Sequence, residues 1–205
     1  MKGNRGFTII ELMIVIVIVA IGVALAIPSF RDLIERKAVG GAAEAAYEQL
    51  QIARSHALKR SKAILVDFYP GVDSTDTNWA VGITDKMAGC DAEDTSGSDL
   101  CTIDYDNDAG TTDPIVMRIM GSNHKNITMS QVTGFADPAV FSGACDTASP
   151  TNEQACFDFV RGLARTGEYN FASSKYTLQV QVNQLGHVKV CVPGSVPKVV
   201  GYDDC

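Results

Sequence analysis

The chain has 205 residues and a formal net charge of −7, with 17 Lys and Arg against 24 Asp and Glu. So acidic a balance argues against broad nonspecific nucleic-acid binding, because phosphate contacts need a basic surface. Three histidines and six cysteines, none in a C-x-x-C, make a zinc site a poor reading. The charge is unevenly spread: residues 31–62 carry seven basic and four acidic side chains, and residues 63–205 carry eight and nineteen.

Residues 1–6 are a short basic leader (Lys2, Arg5) ending in Gly6, and an apolar run follows from Phe7 to Ile27, broken only by Thr8, Glu11 and Gly22. Its length at about 1.5 Å per residue is roughly 30 Å, enough to cross a bilayer as one helix. Glu11 is the odd residue, since a lone carboxylate in hydrocarbon is costly and implies a partner and a purpose. An ordinary secretory signal would end in a small-residue site after the apolar stretch, where Ala24-Leu25-Ala26 is the weaker candidate. A plain signal anchor with an incidental Glu11 is the alternative.

Pro28 predicts a kink or loosening, with residues 7–28 as the membrane segment and 29–62 as a second, amphipathic helix. In the latter, Leu33, Val39, Ala43, Ala46, Tyr47, Leu50, Ala53, Ala57 and Leu58 recur at three- and four-residue spacing and form a stripe that should dock on a sheet. Gly40-Gly41 is a soft spot where the helix could bend. The basic residues of this stretch read as a solvated face.

Residues 63–205 have the texture of a β-rich head. Strands are expected over Ala63–Tyr69, Trp79–Thr84, Ile115–Met120, Ile127–Val132, Cys156–Val160 and Tyr169–Ala172. The clearest is Tyr176–Asn183, with Tyr176, Leu178, Val180 and Val182 on one face, turning at Gln184-Leu185-Gly186 into Val188–Val192. Residues 70–113 and 134–155 are long polar connections. Six cysteines allow fifteen pairings; the spacing favours Cys90–Cys101, Cys145–Cys156 and Cys191–Cys205, each closing a short loop worth roughly 3 kcal/mol.

No catalytic constellation stands out. His56, His124 and His187 lie apart, with no nucleophile or metal motif beside them, so no enzyme and no cofactor are expected. Asp104, Asp106 and Asp108 alternate like a calcium loop, but the glycine and the twelfth position miss the EF-hand register, and an exposed acidic loop is the simpler reading.

The N-terminal pattern Gly6-Phe7-Thr8-x-Ile10-Glu11-Leu12 resembles the signal of type IV pilins and type II secretion pseudopilins. Further segments resemble the GspH/FimT group of that superfamily: Arg31-Asp32-Leu33-Ile34, Ala53–Arg60, Trp79-Ala80-Val81-Gly82, Phe157–Gly162 and Gly186–Cys191. The resemblance implies an α+β, type IV pilin fold, with a long N-terminal helix packed on an antiparallel head with disulfide-stapled loops. It implies that a prepilin peptidase cuts between Gly6 and Phe7 and methylates the new amine. The protein would sit singly spanning the inner membrane with a periplasmic head, and then enter a filament with other major and minor pilins at an assembly platform.

Paired with the Phe7 amine of a staggered neighbour, Glu11 would remove two buried charges together and set register. The implied role is a minor pilin of a tip or priming complex. A secretion pseudopilin, a major pilin and a DNA-binding minor pilin are the alternatives. For DNA, His187 and Lys189 stand where the group's GRxR-like ending has arginines, and neither can form arginine's bidentate fork.

Overall fold

The computed structural model describes residues 8–73, 75–86, 88–94, 97, 99–103, 115–136, 145, 151, 153–194 and 196–205, with the backbone alone at 28 and 29. A single helix, α1 (Ile9–Arg60), takes up fifty-two residues. Thr8 caps its start, accepting the Glu11 amide on its hydroxyl at 3.3 Å, and Ser61 ends it in the left-handed region at φ 53°. The two predicted helices are therefore one element. A proline removes one hydrogen bond from the ladder, and the bonds on either side carry the helix across residue 28. Gly40-Gly41 does not interrupt it either; a Cβ on Gly40 would stand 3.2 Å from the Tyr202 hydroxyl, so the missing side chain makes room for the C-terminal segment.

The strands are β1 (Ile64–Tyr69), β2 (Ala80–Thr84), β3 (Thr102–Ile103), β4 (Ile115–Val116), β5 (Arg118–Met120), β6 (Thr128–Ala136), β7 (Gln154–Phe157), β8 (Thr166–Ala172), β9 (Thr177–Val182) and β10 (Val188–Cys191). They form two antiparallel four-stranded sheets, ordered β5-β2-β1-β7 and β10-β9-β8-β6, with β3 and β4 as a separate pair. The stretch expected as one strand over Ile115–Met120 is split at Met117. That residue donates its amide to Cys101 and accepts from Ile83, handing the chain from the small pair to the first sheet. The strand expected over Cys156–Val160 lies earlier, because the Asp158 carboxylate accepts the Val160 amide and turns the chain out.

Val39, Ala42, Ala43, Ala46, Leu50, Ala53 and Ala57 of α1 are fully buried. Alanine at most of these positions lets the helix backbone approach both sheets closely, where Phe68, Trp79, Phe157, Tyr169 and Phe171 fill the space between. Leu33 and Leu58 of the expected stripe are instead half-exposed, and Tyr47 is only partly covered. Leu58 is rotated about 100° from buried Ala57, and Leu33 precedes the first buried helix position, Val39. Tyr176 and, in β9, Leu178, Val180 and Val182 are buried as predicted, while Gln179 of the other face is buried as well and donates to Glu168 at 3.2 Å. Cys90–Cys101, Cys145–Cys156 and Cys191–Cys205 are bonded, each cysteine to its neighbour in sequence.

Candidate functional site

Every large apolar residue from Ile9 to Ile27 is exposed, which leaves the first half of α1 as a bare apolar rod projecting from the head. Its length and composition suit a membrane-crossing helix. Glu11 sits in its first turn, where the partial positive charge of the helix end favours a carboxylate. Thr8-x-x-Glu11 also has the spacing of a capping box. The half of the box made in the structure is Thr8's, whose hydroxyl accepts the Glu11 amide. The Glu11 carboxylate has a second candidate use beside pairing with a neighbour, reaching back to the Thr8 amide. Gly6 and Phe7 lie outside the described residues, as do the three loop carboxylates Asp104, Asp106 and Asp108.

Where the rod meets the head, α1 is strapped to the turn between β8 and β9. Asp32 accepts the Tyr176 hydroxyl at 2.7 Å and the Lys175 ammonium, and pairs with Arg36 at 2.6 Å. Ser174 donates to Glu35 at 2.9 Å. The hydrogen bonds from Lys175 and then Tyr176 hold the Asp32 carboxyl down at about 2. Arg36 and Lys175 both lie over the Tyr176 ring. Sequence reasoning missed this strap; the only visible signal is the i, i+4 spacing of Asp32 and Arg36. Farther along the helix, Tyr202 hydrogen-bonds Glu44, so the C-terminal segment closed by Cys191–Cys205 is tied to the same helix.

The residues singled out for DNA do not gather into a phosphate cradle. His187 and Lys189 are exposed on one edge, where Lys189 donates to the Asp204 carbonyl at 3.0 Å and the Asp204 carboxylate pairs with Lys198 at 2.8 Å. Gly186 (φ +70°) forms the turn before them, and the Asn183 side chain accepts the amides of Leu185 and His187. His124 stacks on Trp79, and burial pushes its imidazole below the usual range; burial does the same for His56, with Arg60 and Lys59 adding to it. Among the described residues no group of three His, Cys, Asp or Glu could hold a metal ion. A second unpredicted feature lies on β1: Asp67 accepts Gln154 Nε2 at 2.7 Å, and burial pushes its carboxyl up to about 6.

The described residues build a long rod helix and a head that packs on its second half. A family model described as "Type II transport protein GspH" matches residues 42–186, and one described as "Prokaryotic N-terminal methylation motif" matches residues 1–27. The chain belongs to the GspH family and is a subunit of the pilin and pseudopilin class, whose members are structural proteins.

It is similar to a fimbrial protein of Pseudomonas aeruginosa, 36% identical over 86 residues. That match covers 42% of this chain and 53% of the relative, so the chain spans about half the length of the curated relatives it matches. Among solved structures it is similar to the P. aeruginosa minor pilin FimU, with 15% identity, a TM-score of 0.45, and coverage of 80% of this chain and 96% of that one. It is also similar to the minor pseudopilin EpsH of the Vibrio cholerae type II secretion system, with 10% identity, a TM-score of 0.43, and coverage of 77% and 98%.

Proposed function

We propose that this protein is a minor pilin, processed between Gly6 and Phe7, methylated on the new amine, and incorporated into a type IV pilus as part of a tip or priming complex. The observation that carries the reading is the bare apolar rod of Ile9–Ile27 with Glu11 at its first turn, beneath a head of the GspH family. The rod anchors the subunit in the inner membrane with the head outside, and then packs among the rods of other pilins. There Glu11 meets the Phe7 amine of a neighbour and sets the axial register. The prepilin peptidase and the inner-membrane platform are the partners this route requires.

The name of the matched family favours a second reading, a pseudopilin that serves protein export by the same rod. Sheared surface pili from a strain lacking the protein, beside its complemented parent, separate the two. A sharp loss restored by complementation supports the pilus role. Normal pilus numbers with failed export of secreted proteins would transfer the subunit to a secretion pseudopilus. Capture of DNA finds less support, because Lys189 is engaged by the chain's own C-terminal backbone.

A further inference from the structure

The end of α1 farthest from the rod gathers three segments into one surface. Gly162, at φ +64°, lies against the helix, where a Cβ would stand 3.6 Å from Leu58 Cδ2. Gly186 is wedged beside it: a Cβ there would meet the Gly162 carbonyl oxygen at 2.4 Å and Arg54 Nε at 3.2 Å. Arg54 Nη2 donates to the Leu185 carbonyl at 3.3 Å, closing the junction. Three aliphatic side chains from the three segments then face solvent: Leu58, Val160 and Leu185, at 50%, 65% and 54% exposure.

The charge of this pole is opposite to that of the head around it. Segments 54–62, 158–163 and 183–189 hold six Lys and Arg and a single acid, Asp158, which is buried. From outside them Asp85 pairs with Arg60 at 3.5 Å and the Asp204 carbonyl accepts from Lys189, which leaves a net basic pole around Arg54 and Arg161. The far end of β1 is the reverse. Asp76, Asp91 and Glu93 lie around Tyr69, with Asp73, Asp94 and Asp99 beside them in sequence. Arg118 reaches in to donate to the Asp94 carbonyl, and Val72 is 86% exposed. Six residues of strand place these two surfaces roughly 20 Å apart.

Resting on the assembly reading above, we propose that the pole formed by Leu58, Val160 and Leu185, with Arg54 and Arg161, is the seat for the next pilin-type head. Its counterpart is an acidic loop face bearing an exposed aliphatic residue, the chemistry this chain itself carries around Tyr69 with Asp76, Asp91, Glu93 and Val72. Charge complementarity selects the partner's face, and the aliphatic trio supplies the apolar centre that a protein interface needs. A nucleic-acid backbone would meet the arginines and leave the trio uncovered. A lipid surface lies at the opposite end of a helix about 78 Å long. Unlike polar ends on one head make a heterologous contact, the kind that builds an open helical filament when its rotation does not close into a ring.

The test is site-specific photo-crosslinking of the full-length chain in its own cells, with the photoreactive residue at Val160. The expected result is an adduct whose crosslinked peptide belongs to a pilin-type chain and falls in a net acidic segment. Arg161→Glu should lower its yield several-fold while the three disulfides still form. A nuclease-sensitive adduct, an adduct to a neutral or basic segment, or no adduct overturns the proposal. Immunoblots of sheared filaments read the assembly role separately. A chain that enters filaments without this adduct loses the docking surface alone, and one that gives the adduct yet stays out of filaments loses the assembly role alone.

Discussion

Two carboxylates, one on the rod and one in the head, illustrate how environment assigns a residue its task. Glu11 can serve the capping box or the intersubunit ion pair, and the amide isostere separates them, because a capping box accepts Gln as well as Glu. If register depends on charge, Glu11→Gln and Glu11→Ala both leave an inserted, processed protein that is missing from sheared filaments. If only the cap matters, Glu11→Gln enters normally, which an immunoblot of the filament fraction would reveal. Asp67 carries the opposite lesson, since burial raises its carboxyl to about 6 in the folded state against an unfolded value of 3.8. The folded protein then binds the proton more tightly than the unfolded chain. Stability falls as pH climbs from about 4 to about 6, and the cost is fully present above 6. Asp67→Asn keeps an acceptor for Gln154 and removes the titration. Its melting temperature, followed by calorimetry in detergent, should lose that fall relative to the wild type. Asp32 behaves in the reverse sense: its depressed carboxyl stabilises above the unfolded value and gives way only as pH drops toward about 2.

Among the elements, the helix glycines offer a quantitative contrast. Replacing a mid-helix glycine by alanine gains up to about 1 kcal/mol in helix propensity. At Gly41 the new Cβ would meet His124 at 3.9 Å, an ordinary contact, so Gly41→Ala should raise the melting temperature by a few degrees. At Gly40 the Cβ would crowd the Tyr202 hydroxyl at 3.2 Å, and that hydroxyl is held by Glu44. Gly40→Ala should therefore gain less than Gly41→Ala or nothing, measured side by side. The elements themselves were legible wherever a strong period stood on its own, as in β9 and the Val39–Ala57 stripe. The boundaries failed where a tertiary bond decided them: Met117 is strand-like in sequence yet divides β4 from β5 by bonding to two different neighbours. The two residues of β3 were too short to leave any periodic signal.

At the scale of the whole molecule, sequence and structure agree best on what is covalent or apolar. Cysteines close in sequence are the ones joined, and the exposed rod is the run that looked fit for a membrane. The strap and the basic pole were invisible because each assembles side chains more than a hundred residues apart, Asp32 with Tyr176 and Arg54 with Leu185. Opening the Cys191–Cys205 loop with Cys205→Ser should cost roughly 3 kcal/mol. It should also loosen the C-terminal segment from α1, read as faster amide exchange at Val199–Tyr202 than anywhere in β9.

The position of the strap has a mechanical consequence. Asp32 and Glu35 grip the head at the point where the rod emerges, several residues before the first fully buried helix position, Val39. A pull along the rod axis therefore loads the strap and the alanine-rich seam together, in shear, so that many weak bonds yield as one. A sideways tug on the rod acts as a lever that opens the strap first and then peels the seam a turn at a time. A head held this way resists a load along the rod axis far better than bending at its neck.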